Sequence, residues 1–164
     1  MLRRRKRVEF EVTPATFKTL GLAGVAGLRS MAAPALLARA VRRGDLDVPN
    51  LPALGYKDIS DLLSFLSFGE MVADKTHLVP ARTSAPALLG RLLSGAVAGS
   101  VLFADEGRRS NSGAVLGALS AFAAAHAGER LRAMGAQRGI PDPILGILED
   151  RLVLTLGTSL LRRA

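Results

Sequence analysis

Long apolar segments alternate with short polar ones along this chain of 164 residues, and single ionised residues interrupt the apolar segments. Residues 14–42 form the first segment, with Arg29 near its middle, and residues 84–104 repeat the arrangement around Arg91. A helix needs about 20 mostly apolar residues to cross roughly 30 Å of hydrocarbon. The pattern therefore predicts membrane helices that carry charged side chains into the interior of a bundle.

Capping and breaking residues divide the chain into five predicted helices. Thr13 and Pro14 suit the start of the first helix, and Pro34 should kink it or locally free a carbonyl. The second helix is shorter and acidic, so it could span the membrane, re-enter it or lie at its surface. The predicted helices cover residues 14–42, 58–75, 84–104, 111–133 and 143–161.

The predicted fold is all-α: a polytopic membrane bundle of four or five helices over residues 14–164, after a basic arm at 1–13. Glycines four residues apart, at 95 and 99 and at 113 and 117, favour close packing of the third helix on the fourth over a dedicated dimer face. The first and fourth helices share small residues, which suggests a weak internal repeat. Their common Ala/Gly composition is the alternative explanation.

The net charge of +8 comes largely from the two ends of the chain, where Arg3–Arg7 and Arg162–Arg163 lie. Basic residues beside apolar spans are typical of a cytoplasmic segment at anionic lipid headgroups, and this interpretation is preferred to nucleic-acid binding. If all five helices span, ten Lys and Arg fall on the N-terminal side and seven on the other. We therefore expect a bacterial inner-membrane protein with a cytoplasmic N-terminus.

Four carboxylates near the middles of apolar segments are the candidate ion- or substrate-binding residues: Glu70, Asp74, Glu149 and Asp150. Their predicted charge partners are Arg29, Arg91, Arg82 and Lys75. An ion or proton relay is one interpretation, since close carboxylates raise each other's proton affinity. The other is a structural cluster of ion pairs that locks the bundle. No cysteine is present, and two histidines are too few for a usual zinc site, so no metal, cofactor or catalytic residue is assigned.

Several strings that include these charged positions resemble a bacterial family of small integral membrane proteins, the domain of unknown function 4126. The resemblance covers about residues 16–160 and implies a polytopic helical membrane protein, without supplying an activity. The strings are residues 27–31 (GLRSM), 33–35 (APA), 70–75 (EMVADK), 82–83 (RT), 86–91 (PALLGR), 141–142 (PD) and 149–150 (ED).

Two functions follow from these observations. The first is a small transporter or channel that uses the carboxylates, with the arginines as counter-ions. The alternative is a non-catalytic accessory or structural subunit of a larger membrane complex. A homo-oligomer is a further possible assembly, and one without companion proteins would count against the accessory role. A lipid-modifying enzyme has less support, because no nucleophile or metal constellation accompanies the acids.

Overall fold

The computed structural model describes residues 13–48, 51–74 and 84–162, and within them the chain forms α-helices and no strand. This confirms the all-α prediction, although these residues form six helices and not four or five. The helices are α1 (Pro14–Leu28), α2 (Ala32–Arg43), α3 (Lys57–Ala73), α4 (Ala85–Asp105), α5 (Ser110–Gln137) and α6 (Asp142–Leu161), with a short 3₁₀ helix at Pro52–Gly55 before α3.

The first helix begins as the sequence predicts. The Thr13 hydroxyl accepts a hydrogen bond from the Thr16 N–H at 3.4 Å, and Pro14 occupies the first helical position. Such a cap satisfies one of the N–H groups that a helix start leaves unpaired.

The prediction of one helix over residues 14–42 is wrong, because the chain reverses direction at Arg29–Met31. The side chains of Leu22 and Leu36, equally far from Arg29 along the chain, both lie beside Gly157 of α6. Segments α1 and α2 are therefore the two arms of a helical hairpin. Pro34 falls in the first turn of α2, where no N–H is needed, and it does not kink a longer helix.

Successive helices run in alternating directions, as two contacts along each of three helix pairs indicate. We call the end of the bundle where α1, α3 and α5 finish and α2, α4 and α6 start the network end. The pairs that set the directions are Gly95–Gly117 and Gly99–Gly113 for α4 and α5, Met31–Glu70 and Arg42–Asp61 for α2 and α3, and Arg29–Asp150 and Gly21–Leu160 for α1 and α6.

Four glycines bring α4 and α5 into backbone contact. A Cβ atom on Gly99 would collide with the carbonyl oxygen of Gly113, and one on Gly113 with the carbonyl oxygen of Gly99. Gly95 and Gly117 oppose each other in the same way one turn further on. The predicted packing of these two helices within one chain is confirmed, since only glycine allows so close an approach.

The core lies between α1, α2, α4 and α6, where Leu22, Leu37, Leu102 and Val153 are almost fully buried. The acidic helix α3 packs mainly against α2 and the short 3₁₀ helix, and Phe65 on its outer side is 72% exposed. The order of helices does not repeat, because the hairpin α1–α2 precedes α3 whereas α5 leads directly to α6.

Within the described ranges, α4 is the one helix long and apolar enough to cross a membrane by length and composition. Helices of this kind occur both in membranes and in the cores of soluble proteins, so α4 alone is only a hint of membrane association. The basic arm predicted at residues 1–13 lies outside the described residues except for Thr13.

Candidate functional site: a buried charge network

The turn between α1 and α2 is held by side chains from α3 and α4. From α4, Arg91 directs Nη1 at the carbonyl oxygens of Gly27 and Leu28, at 2.8 and 2.6 Å. These carbonyls belong to the last turn of α1, where the helix leaves acceptors unpaired and carries partial negative charge. The buried cation therefore ends α1 at this point.

The carboxylate of Glu70, near the end of α3, occupies the start of α2. It accepts hydrogen bonds from the Ser30 N–H, the Ser30 hydroxyl and the Met31 N–H, at 2.9, 2.8 and 2.8 Å. An anion is stabilised there because a helix N-terminus presents free N–H groups and partial positive charge. The Arg91 Nη2 atom lies 4.0 Å from Glu70 Oε1, so the two capping groups also attract each other.

A third contact completes the turn. Proline has no N–H, so Pro34 cannot donate to the carbonyl of Ser30 four residues before it. The hydroxyl of Ser94, from α4, donates to that oxygen instead. The expectation that Pro34 frees a carbonyl was therefore sound, although the helix boundary was misplaced.

Arg29 is 1% exposed and joins the turn to α3 and α6. Its Nη1 atom lies 2.7 Å from Asp74 Oδ2, and its Nη2 and Nε atoms each lie 2.8 Å from Asp150 Oδ1. A guanidinium of this kind is always charged and its planar fork suits two carboxylates at once. The side chain thus connects three helices through ion pairs that water scarcely reaches.

Arg132 of α5 is a member of the site that sequence reasoning missed. Its Nη2 atom lies 2.6 Å from Asp74 Oδ2 and 2.9 Å from Glu149 Oε2, and Nη1 lies 3.3 Å from Asp142 Oδ2. Arg132 lies inside the fourth predicted helix but was counted only with the basic residues of the N-terminal side. The signal that could have found it is that the helix continues beyond Arg132 to Gln137, so its side chain lies on a helix and not in a loop.

The structure thus gathers all four predicted carboxylates at the network end with two of their predicted partners. Glu70 and Asp74 share a face of α3, as predicted, but reach different cations: Glu70 faces Arg91, and Asp74 lies between Arg29 and Arg132. Lys75 and Arg82, the other predicted partners, lie outside the described residues. We call the set Arg29, Glu70, Asp74, Arg91, Arg132, Glu149 and Asp150 the charge network.

The charge network contains carboxylates and guanidinium groups and no nucleophile within the described chain. In the same residues, no three acidic or histidine side chains are arranged to hold a metal ion. His126 lies apart, stacked on Phe122 of its own helix with the ring centroids 4.3 Å apart. What this arrangement can do is bind or exchange a proton or cation, or hold helices together.

The fold and the network define a class: a small all-helical bundle that buries ionised side chains between its helices. The comparison with known families agrees with the resemblance found in the sequence. The family model described as Domain of unknown function (DUF4126) matches residues 17–162, and the chain belongs to that family. No curated protein and no solved structure matches the chain.

Proposed function

We propose that this protein is a polytopic integral membrane protein of the bacterial inner membrane, in which the charge network serves transport of a proton or cation. The support for a membrane location is the distribution of polarity: charged groups lie inside at the network end, and large apolar side chains lie outside. Each of the following side chains is more than half exposed: Leu62, Phe65, Phe68, Leu89, Leu93, Val115, Leu119, Leu131 and Leu148. Water disfavours so much exposed apolar surface, whereas lipid does not.

The depth of the network supports the same proposal. Arg91 is six residues from the start of α4 at Ala85, which places it about 9 Å along that helix axis at 1.5 Å per residue. If α4 spans the membrane, the non-helical turn at Arg29–Met31 therefore lies at the depth of the hydrocarbon. Irregular backbone at such depth is tolerated where protein surrounds it, as in re-entrant hairpins and the broken helices of transporters.

The distribution of basic residues favours one orientation. Among the described residues, those near the end of the bundle opposite the network are Lys18, Arg42, Arg43, Lys57, Arg108, Arg109 and Arg162, whereas Arg130, Arg132, Arg138 and Arg151 lie near the network. Excess Lys and Arg mark the cytoplasmic side. Because α1 begins at the more basic end, the N-terminus is assigned to the cytoplasm, where residues 3–7 would meet anionic headgroups.

The observation that carries the transport proposal is the position of Asp74. One of its oxygens lies within 2.7 Å of Arg29 and 2.6 Å of Arg132, which belong to different helices. A proton or cation can reach Asp74 only when Arg29 or Arg132 moves aside, so its binding would be coupled to the separation of α3 from the hairpin turn or from α5. Titratable groups between two moving elements are a common basis for coupling ion binding to helix movement.

A flux measurement tests this proposal. The purified protein is reconstituted in liposomes that contain a pH-sensitive dye, and proton or cation entry is followed with and without a membrane potential. Asp74→Asn should abolish the flux, while the matched control Asp61→Asn should not, because Asp61 lies near the other end of α3 and is exposed. Equal flux in the wild-type protein, in Asp74→Asn and in empty liposomes would reject transport.

Structural function is the second candidate, and the completeness of the pairing favours it. Three of the carboxylates, Asp74, Glu149 and Asp150, each lie within 3 Å of a guanidinium, and the fourth, Glu70, accepts three hydrogen bonds. Such complete pairing is expected of ion pairs that hold the helices in fixed positions. With this function the chain is an accessory or structural subunit of a larger membrane complex. Extraction in mild detergent, followed by measurement of the mass of the particle, tests this: a discrete companion protein would support it, and a homo-oligomer without companions would count against it.

A further inference from the structure

A groove between α2, α3 and α6 opens to the outside of the bundle and follows α2 from Ala32 to Arg39. Its volume is about 200 Å³, and its walls are apolar, formed mainly by Ala35, Leu36, Phe68, Met71 and Leu154. The groove is open along one side, so it can admit a flexible chain from the surrounding medium.

One cation borders this apolar groove. Arg39 lines it and is exposed, and within the described residues its guanidinium has no ion pair or hydrogen bond. The neighbouring basic residues have carboxylate partners: Lys57 Nζ lies 2.7 Å and Arg42 Nη1 lies 3.4 Å from the one carboxylate of Asp61. Arg43 pairs with Asp45 at 2.9 Å. Because Asp61 carries one charge for two cations, this end of α2 keeps an excess of positive charge, and Arg39 is the basic residue there that lines the groove.

A second polar group faces the same space. Ser67 lines the groove and is 8% exposed, so its hydroxyl lies at a largely buried wall that a ligand in the groove would contact. A hydroxyl in such a position can hydrogen-bond to a polar group of that ligand. The hydroxyl of the nearby Ser64 instead donates to the Ser60 carbonyl oxygen at 2.7 Å.

We propose that this groove holds one acyl chain of an anionic phospholipid, whose headgroup phosphate pairs with Arg39. The inference rests on the proposed membrane location. Its basis is complementarity: apolar walls suit the acyl chain, Ser67 suits an ester oxygen, and Arg39 suits the phosphate. Arg39 lies one helical turn before Arg43, at the end of the bundle assigned to the cytoplasm, so the headgroup reaches the level of the membrane surface.

The experiment measures lipid retained by the full-length protein. The protein is reconstituted in vesicles with equal parts phosphatidylglycerol and phosphatidylcholine and extracted in mild detergent, and the bound lipids are counted by native mass spectrometry. We expect one phosphatidylglycerol per chain. Arg39→Gln should lower its retention about fivefold, the usual effect of one basic residue on anionic lipid. The control Arg43→Gln should retain it, because Asp45 already neutralises Arg43.

A second variant tests the groove separately from the charge. Ser64→Leu adds an apolar side chain to a partly exposed wall of the groove, so it should exclude the lipid while leaving helix content unchanged. Equal retention of the two lipids, or equal losses in Arg39→Gln and Arg43→Gln, would overturn the lipid site and leave the membrane proposal intact. A protein that stays in the aqueous phase after cell fractionation would overturn both.

Discussion

Replacement of Arg29 by methionine should destabilise the protein more than the removal of any exposed arginine. Arg29 is 1% exposed and contacts Asp74 and Asp150, while methionine fills similar space without a charge. Removing one partner of a buried ion pair costs about 3–5 kcal/mol, because a carboxylate loses its counter-charge where water cannot replace it. The expected loss of unfolding free energy in Arg29→Met is therefore about 3–5 kcal/mol.

The matched control is Arg43→Met. The side chain of Arg43 is 54% exposed and its pair with Asp45 is of similar length, so the two substitutions differ mainly in burial. An exposed pair contributes about 0–1 kcal/mol. The two variants should consequently differ by about 2 kcal/mol or more in the free energy of unfolding.

The assay is denaturant unfolding in mild detergent, followed by helical circular dichroism. A cycle with Asp150→Asn separates the pair from other effects: if the ion pair carries the loss, the double variant should be less destabilised than the sum of the single variants by about 0.5–3 kcal/mol. The reasoning is refuted if Arg29→Met loses no more stability than Arg43→Met, or if the two substitutions at 29 and 150 are additive.

Three further substitutions test local features by the same unfolding measurement. Gly99→Ala should lower the free energy of unfolding by about 1–3 kcal/mol, because its Cβ meets the Gly113 carbonyl. The control Gly90→Ala has open space around it and should be neutral or slightly stabilising. Equal effects of the two substitutions would argue against the close α4–α5 contact. Ser94→Ala leaves the Ser30 carbonyl without its donor and should cost about 1–3 kcal/mol, and no change would mean that water replaces the hydroxyl. Thr13→Ala should cost about 1 kcal/mol through loss of the cap of α1, and an unchanged midpoint would contradict that role.

Periodic and capping signals predicted much of the fold. The starts of α1 and α4, the acidic helix α3 and the glycine packing of α4 on α5 follow from residues close together in sequence. The reversal at Arg29–Met31 could not be predicted this way, because neither glycine nor proline occupies those positions. The ends of both helices are instead satisfied by Arg91 and Glu70, which lie about 40 to 60 residues further along.

The candidate site was predictable in its membership and not in its pairing. Ionised residues within apolar segments identified the four carboxylates and Arg29 and Arg91, because burial of a charge requires a partner. Which cation meets which acid depends on how the helices pack. Arg132 was missed because it lies near the predicted end of the fourth helix, and only the packing of α5 brings its side chain beside Asp74.

The peripheral position of α3 has a consequence for how the molecule deforms. Packed mainly on α2, this helix is tied to the remaining helices largely through the side chains of Glu70 and Asp74 near its C-terminal end. The closely packed α4–α5 pair should be rigid, whereas α3 should move relative to it about its contact with α2. Among these helices, amide hydrogen exchange should accordingly be fastest at the N-terminal end of α3, near Lys57, and slowest where the glycines of α4 and α5 are in contact.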